Sequence, residues 1–65
     1  ELLIEACSIS GDYIREIART TVTPGKHTFR WEGKDHNGND TPRGLYLIRT
    51  TLNNKILRTI KIEKI

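Results

Sequence analysis

Sixty-five residues carrying 11 Lys and Arg against 8 Asp and Glu, for a net charge of +3, make one small domain at most. A chain this short buries only roughly 60% of the surface its unfolded form exposes, which leaves little room for a cleft deep enough to do chemistry. The single Cys7 excludes an internal disulfide, and no apolar run approaches the roughly 18 residues of a membrane-spanning helix.

The chain opens at Glu1 and contains no methionine, so residues 1–65 are expected to be a single module cut or processed from a larger parent. Residues 2–9 are apolar and short, break at Ser10-Gly11-Asp12, and are followed at once by residues 13–18. Two apolar runs around a glycine-containing centre predict a β-hairpin, because glycine supplies the positive φ a tight turn needs. The i, i+3 spacing of Ile14 and Ile17 also suits a helical turn, but six uncapped residues favour a strand that can carry a bulge.

The β-branched run 20–23 leads into Pro24-Gly25, where proline fixes φ and glycine permits a positive one, a type II turn signal. After it, His27, Phe29 and Trp31 alternate with Thr28, Arg30 and Glu32. The period of two predicts a strand with Phe29 and Trp31 in the core. Residues 33–44 are almost wholly polar, with Asn37-Gly38 as a two-residue turn signal and Pro42 and Gly44 closing the stretch.

Residues 45–52 predict a strand with Tyr46, Ile48 and Leu52 on one face. Asn53-Asn54, both tolerant of left-handed conformations, predict a hairpin turn. Residues 56–65 predict the last strand, with Ile56, Ile60 and Ile62 sharing a side. Short strands with turn signals every 8–12 residues point to an all-β domain, a small sandwich or barrel.

Candidate chemistry concentrates in residues 35–40. Asp35, Asn37 and Asn39 hold positions 1, 3 and 5 of a calcium-loop pattern, but position 6 is Asp40 where glycine is needed and position 12 is Tyr46 where glutamate is needed. Glu32, Asp35 and Asp40 offer carboxylates for acid and base roles, yet such pairs need a concave cleft. His27 and His36 lack partners at zinc spacing. Cys7 reads as an inert, half-buried thiol, with no adjacent base to activate it. The basic residues Arg43, Arg49, Lys55, Arg58, Lys61 and Lys64 alternate with apolar ones, as on a solvated sheet face; the other reading is a small basic nucleic-acid-binding β-barrel. No catalytic residue, metal or cofactor is expected.

The series Ser10-Gly11, Pro24-Gly25-Lys26-His27-Thr28-Phe29-Arg30-Trp31, Glu32-Gly33-Lys34-Asp35, Gly38 and Pro42-Arg43-Gly44-Leu45-Tyr46 resembles the immunoglobulin-like module of the flagellar hook-capping (FlgD-type) family. It is similar also to C-terminal sorting domains of the type IX secretion pathway. Glu32 stands where family members usually carry aspartate. The resemblance implies a small antiparallel immunoglobulin-like β-sandwich of about 5–7 strands, forming the C-terminal part of a larger exported bacterial protein.

In such a module the motif residues Pro24, Gly25, Phe29, Trp31, Gly33, Asp35, Gly38, Pro42, Gly44 and Tyr46 are structural. Trp31 anchors the core and Tyr46 packs inward. The expected role is non-catalytic: sorting, anchoring or assembly, outside the cell or at its surface. Partners would be other domains of the parent, neighbouring subunits or secretion machinery. The strand from Leu2 and the strand ending at Ile65 are expected at sheet edges, and Leu3, Leu45 and Leu47 as an apolar outer contact surface.

Overall fold

The computed structural model describes residues 1–21, 25 and 27–65. Four strands, β1 (Leu2–Ser8), β2 (Tyr13–Thr20), β3 (Gly44–Leu52) and β4 (Lys55–Lys64), form one antiparallel sheet in the order β2-β1-β3-β4. The chain is all-β as expected. The described residues hold these four strands in a single sheet, and residues 27–32 lie across it without joining a strand ladder. The sheet is open, with β2 and β4 at opposite edges, so the barrel reading is not realised. Among the described residues no helix is long and apolar enough to cross a membrane.

Two of the turns share one chemistry. The Gly11 amide donates to the Ser8 carbonyl at 2.9 Å, and the Ser8 amide to the Asp12 carbonyl at 2.8 Å. Gly11, at φ 95°, closes this three-residue loop in a conformation that glycine adopts without strain. The Ser8 hydroxyl takes the Asp12 amide at 3.0 Å and locks the loop from its side. Ile9 therefore sits in the turn and is exposed, one residue beyond the end of β1. At the other hairpin Asn53 (φ 49°) and Asn54 (φ 68°) are both left-handed, the two-residue turn the Asn-Asn pair predicts.

Bulges account for the spacing that mimicked a helix in β2. Ile4 opposes Ala18 but Glu5 opposes Glu16, leaving Ile17 as an extra residue; Ala6 opposes Arg15 but Cys7 opposes Tyr13, leaving Ile14 extra. The i, i+3 pair is thus two bulges on one strand. A third bulge corrects an expectation in β4. Thr50 opposes Arg58 and Thr51 opposes Ile56, so Leu57 is the extra residue. Directly opposed residues share a face, which puts Ile56 with Thr51 and away from Ile60 and Ile62, the partners of Ile48 and Tyr46.

The order of the sheet puts the last strand, β4, at an edge as expected and corrects the expectation for the first. β1 pairs with β2 on one side and with β3 over its full length on the other, so residues 2–8 form an interior strand. The buried core is centred there, on Ile4, Ala6, Cys7 and Tyr46. Cys7 is 1% exposed, more deeply placed than the half-buried thiol expected, and burial pushes its pKa up. A buried neutral thiol is inert.

Candidate functional site

The polar stretch after Trp31 folds into a second copy of the Ser8 turn. Lys34 and Asp40 form an isolated antiparallel bridge. Inside it the Gly38 amide donates to the Asp35 carbonyl at 3.0 Å and the Asp35 amide to the Asn39 carbonyl at 2.9 Å. Gly38 has φ 83°. The turn centre is thus His36-Asn37 and Gly38 closes it, one residue earlier than the Asn37-Gly38 centre expected. Asp35 Oδ1 accepts the amides of Asn37 (2.9 Å) and Asn39 (3.0 Å), doing here what the Ser8 hydroxyl does in the first turn. The bond from the Asn39 amide, followed by that from Asn37, holds the Asp35 carboxyl below its ordinary pKa.

This loop is fastened to both ends of the sheet. On the β2 side the His36 amide donates to the Ile14 carbonyl at 3.0 Å, Arg15 donates to the Asp35 carbonyl at 2.7 Å, and the His36 ring stacks on Tyr13 at 6.1 Å. Bulging at Ile14 presents the carbonyl that the loop takes up, so part of the β2 edge is covered. On the β4 side the Lys64 ammonium donates to the carbonyls of Gly33 (3.0 Å) and Thr41. Thr41 closes back on Gly33, its amide and hydroxyl both donating to the Gly33 carbonyl at 2.9 Å. Gly33 is buried beneath Lys64, with φ 74°.

The aromatic pair ties the loop to the core. Trp31 donates its indole N–H to the Lys34 carbonyl at 2.9 Å, and Tyr46 donates its hydroxyl to the Pro42 carbonyl four residues upstream. Tyr46 is buried and packs inward as expected, whereas Trp31 is half-buried. Phe29 departs from the expected core position, being 40% exposed and stacked on His27 at 6.4 Å. With no strand ladder at 27–32, alternation there does not define an inside and an outside. Pro24 of the expected Pro24-Gly25 turn lies outside the described residues.

The carboxylates singled out as candidate acids and bases do not converge on a cleft. Asp35 is taken by backbone amides, Asp40 by Lys34 at 2.8 Å, and Glu32 is exposed. Lys34 holds the Asp40 carboxyl below its ordinary pKa, and Asp40 in turn raises that of Lys34. Among the described residues no group of three or more His, Cys, Asp or Glu is placed to hold a metal ion.

The apolar concavity lies elsewhere: an open groove of about 350 Å³ between the sheet residues Ile4, Ile17, Ile48, Ile60 and Ile62 and the overlying Phe29 and Trp31. On the opposite face Leu3 shares a side with Leu45 and Leu47, as expected. Glu5 and Arg49 lie between Leu3 and Leu47 and pair at 3.3 Å, so the three leucines form no continuous patch.

The polar loop's role as architecture was legible only in part, because its fastening residues come from distant positions. Arg15, Ile14 and Lys64 contact it across 20 or more residues of chain, and no local motif carries that signal.

Comparison with known proteins adds one finding. A family model described as the FlgD Ig-like domain matches residues 3–55, most of the chain and all of β1 but its first residue, β2 and β3. No curated protein and no solved structure matches the chain.

Proposed function

The chain belongs to the FlgD Ig-like domain family, and on that premise we propose that it is a structural and interaction module of a secreted or cell-surface bacterial protein, serving C-terminal sorting, anchoring or assembly. The family is a structural, non-enzymatic domain type. One observation carries the reading beyond the family. The polar groups of residues 33–41 that could serve chemistry are spent on closing the loop and holding it to the sheet: Asp35 on two amides and Asp40 on Lys34 within the loop, and the Gly33 and Thr41 carbonyls on Lys64 of β4. What remains on the surface is a platform of strands, which suits contact rather than turnover.

We read the apolar groove as the inner face of an immunoglobulin-like sandwich, with residues 27–32 as part of its second layer. Ile4, Ile48 and Ile62 point to that side and Trp31 already closes one end of it.

Deletion of residues 1–65 from the parent protein in its own host tests the proposal. Loss of the exported or assembled fraction, with any activity of the remaining chain intact in lysate, is the expected result. Unchanged location and assembly of the truncated parent would overturn it.

A further inference from the structure

We propose that the outer edge of β4 docks an extended acidic segment of a partner protein, added to the sheet as a further strand. The inference deepens the reading of this chain as an interaction module and rests on it.

The two edges of the sheet differ. The β2 edge is covered at Ile14 by the His36 amide. β4 is the longest strand, ten residues, and pairs with β3 on its inner side; among the described residues no backbone group beyond the sheet bonds to it. Residues 55–61 are exposed throughout, with Ile56 67%, Leu57 63% and Ile60 42% accessible. Such an edge offers a row of N–H and C=O groups to an incoming strand, and its side chains set which strand is accepted.

Charge decides the occupant. β4 carries Lys55, Arg58, Lys61 and Lys64 against Glu63 alone. Lys64 is turned onto the Gly33 and Thr41 carbonyls, while Lys55, Arg58 and Lys61 make no ion pair among the described residues. A second copy would lay one basic strand beside another, and like charges across a strand pair are destabilising. The same lysines that discourage self-pairing therefore select an acidic strand.

Register sharpens the chemistry. Arg58 and Ile60 lie on the face of Thr50 and Ile48, and Lys61 on the face of Leu47. Opposed side chains share a face, so the partner should read acid–apolar–any–acid opposite Lys61, Ile60, Thr59 and Arg58.

The test uses the 65-residue chain and the synthetic peptide Thr-Val-Asp-Val-Thr-Glu-Val-Thr, with binding followed by amide exchange and chemical shift. Expected are slowed exchange at alternate β4 amides and binding at least tenfold tighter than that of poly-glutamate or a single-stranded oligonucleotide. Arg58→Glu with Lys61→Glu should weaken the peptide at least tenfold, and a peptide with lysine in place of both acids should restore binding to that variant. Equal binding of poly-glutamate or the oligonucleotide overturns the proposal, as does peptide contact elsewhere or β4 protection through self-association. A parent whose location depends on residues 1–65 while the chain ignores the peptide rejects the docking edge alone and leaves the module's broader role standing.

Discussion

The indole of Trp31 meets the ring of Tyr46 edge to face, with centroids 5.2 Å apart and planes at 69°. Edge-to-face pairs gain about 0.5–1.5 kcal/mol beyond the area they bury. Here each ring also donates a hydrogen bond to loop backbone, Trp31 to Lys34 and Tyr46 to Pro42. The pair is therefore the joint between the polar loop and the sheet. Tyr46→Phe should cost about 1 kcal/mol in urea unfolding, the worth of a typical net hydrogen bond. Trp31→Ala should cost about 3 kcal/mol, the lower end for a large aromatic because the ring is half-buried. A Trp31→Ala cost below about 1 kcal/mol would mean the loop is not anchored there.

Gly33 and Lys64 make a second joint. A Cβ on Gly33 would fall 2.9 Å from Lys64 Cε, and its φ of 74° disfavours any other residue. Gly33→Ala should destabilise by about 1–3 kcal/mol. Lys64→Ala in the same chain should recover the steric part and leave the backbone part, so the two changes should not add. Strict additivity in a double-mutant cycle would separate the two sites.

The pH dependence follows from three groups. Asp35 and Asp40 have depressed pKa values, the first through the Asn39 and Asn37 amides and the second through Lys34. Their contribution is complete above the ordinary carboxylate value of about 3.9 and is lost as pH falls below it through the folded values. Cys7 has the opposite sign. Burial raises its pKa, so stability falls as pH rises beyond the ordinary thiol value of about 8.5, where the unfolded chain ionises first. Thermal melts should be flat between about pH 5 and 8 and fall on both sides. Asp35→Asn should flatten the acid limb; an unchanged limb would remove Asp35 from the account.

Calcium should do nothing to this protein. Asp35 Oδ1 already takes two amides, and Asp40 pairs with Lys34. A metal bound only by the folded state would raise the melting temperature by mass action. Melts with and without millimolar calcium should agree within about two degrees, and a larger rise would reveal a site built from those oxygens.

The turns were readable because their chemistry is local. Asn53-Asn54 carries its left-handed preference wherever it sits, and Ser10-Gly11 likewise marks a hairpin, though the turn centre falls one residue earlier at Ile9-Ser10. The positions of β1 inside the sheet and of β2 and β4 at its edges depend on pairings between distant residues, such as Ile4 with Thr50, to which no short pattern points. The alternation around Phe29 and Trp31 misled for the same reason: it gives a periodicity but not a neighbouring strand. Of the candidate site, Asp35 and Gly38 were recognisable as turn residues, whereas Lys64 reaches the loop from 31 residues beyond Gly33 and leaves no mark in it.

The polar stretch around Asp35, bonded to β2 and β4, is part of the fold's framework and not a mobile working loop. Native-state hydrogen exchange at single-residue resolution separates the two cases, because framework amides open only with the sheet while independent loops exchange far faster. The amides of Asp35, His36, Gly38 and Thr41, bonded to the carbonyls of Asn39, Ile14, Asp35 and Gly33, should be protected to within about tenfold of the slowest β1 and β3 amides. Exchange of all four near the rate of an unstructured peptide, with the strands still protected, would contradict the account.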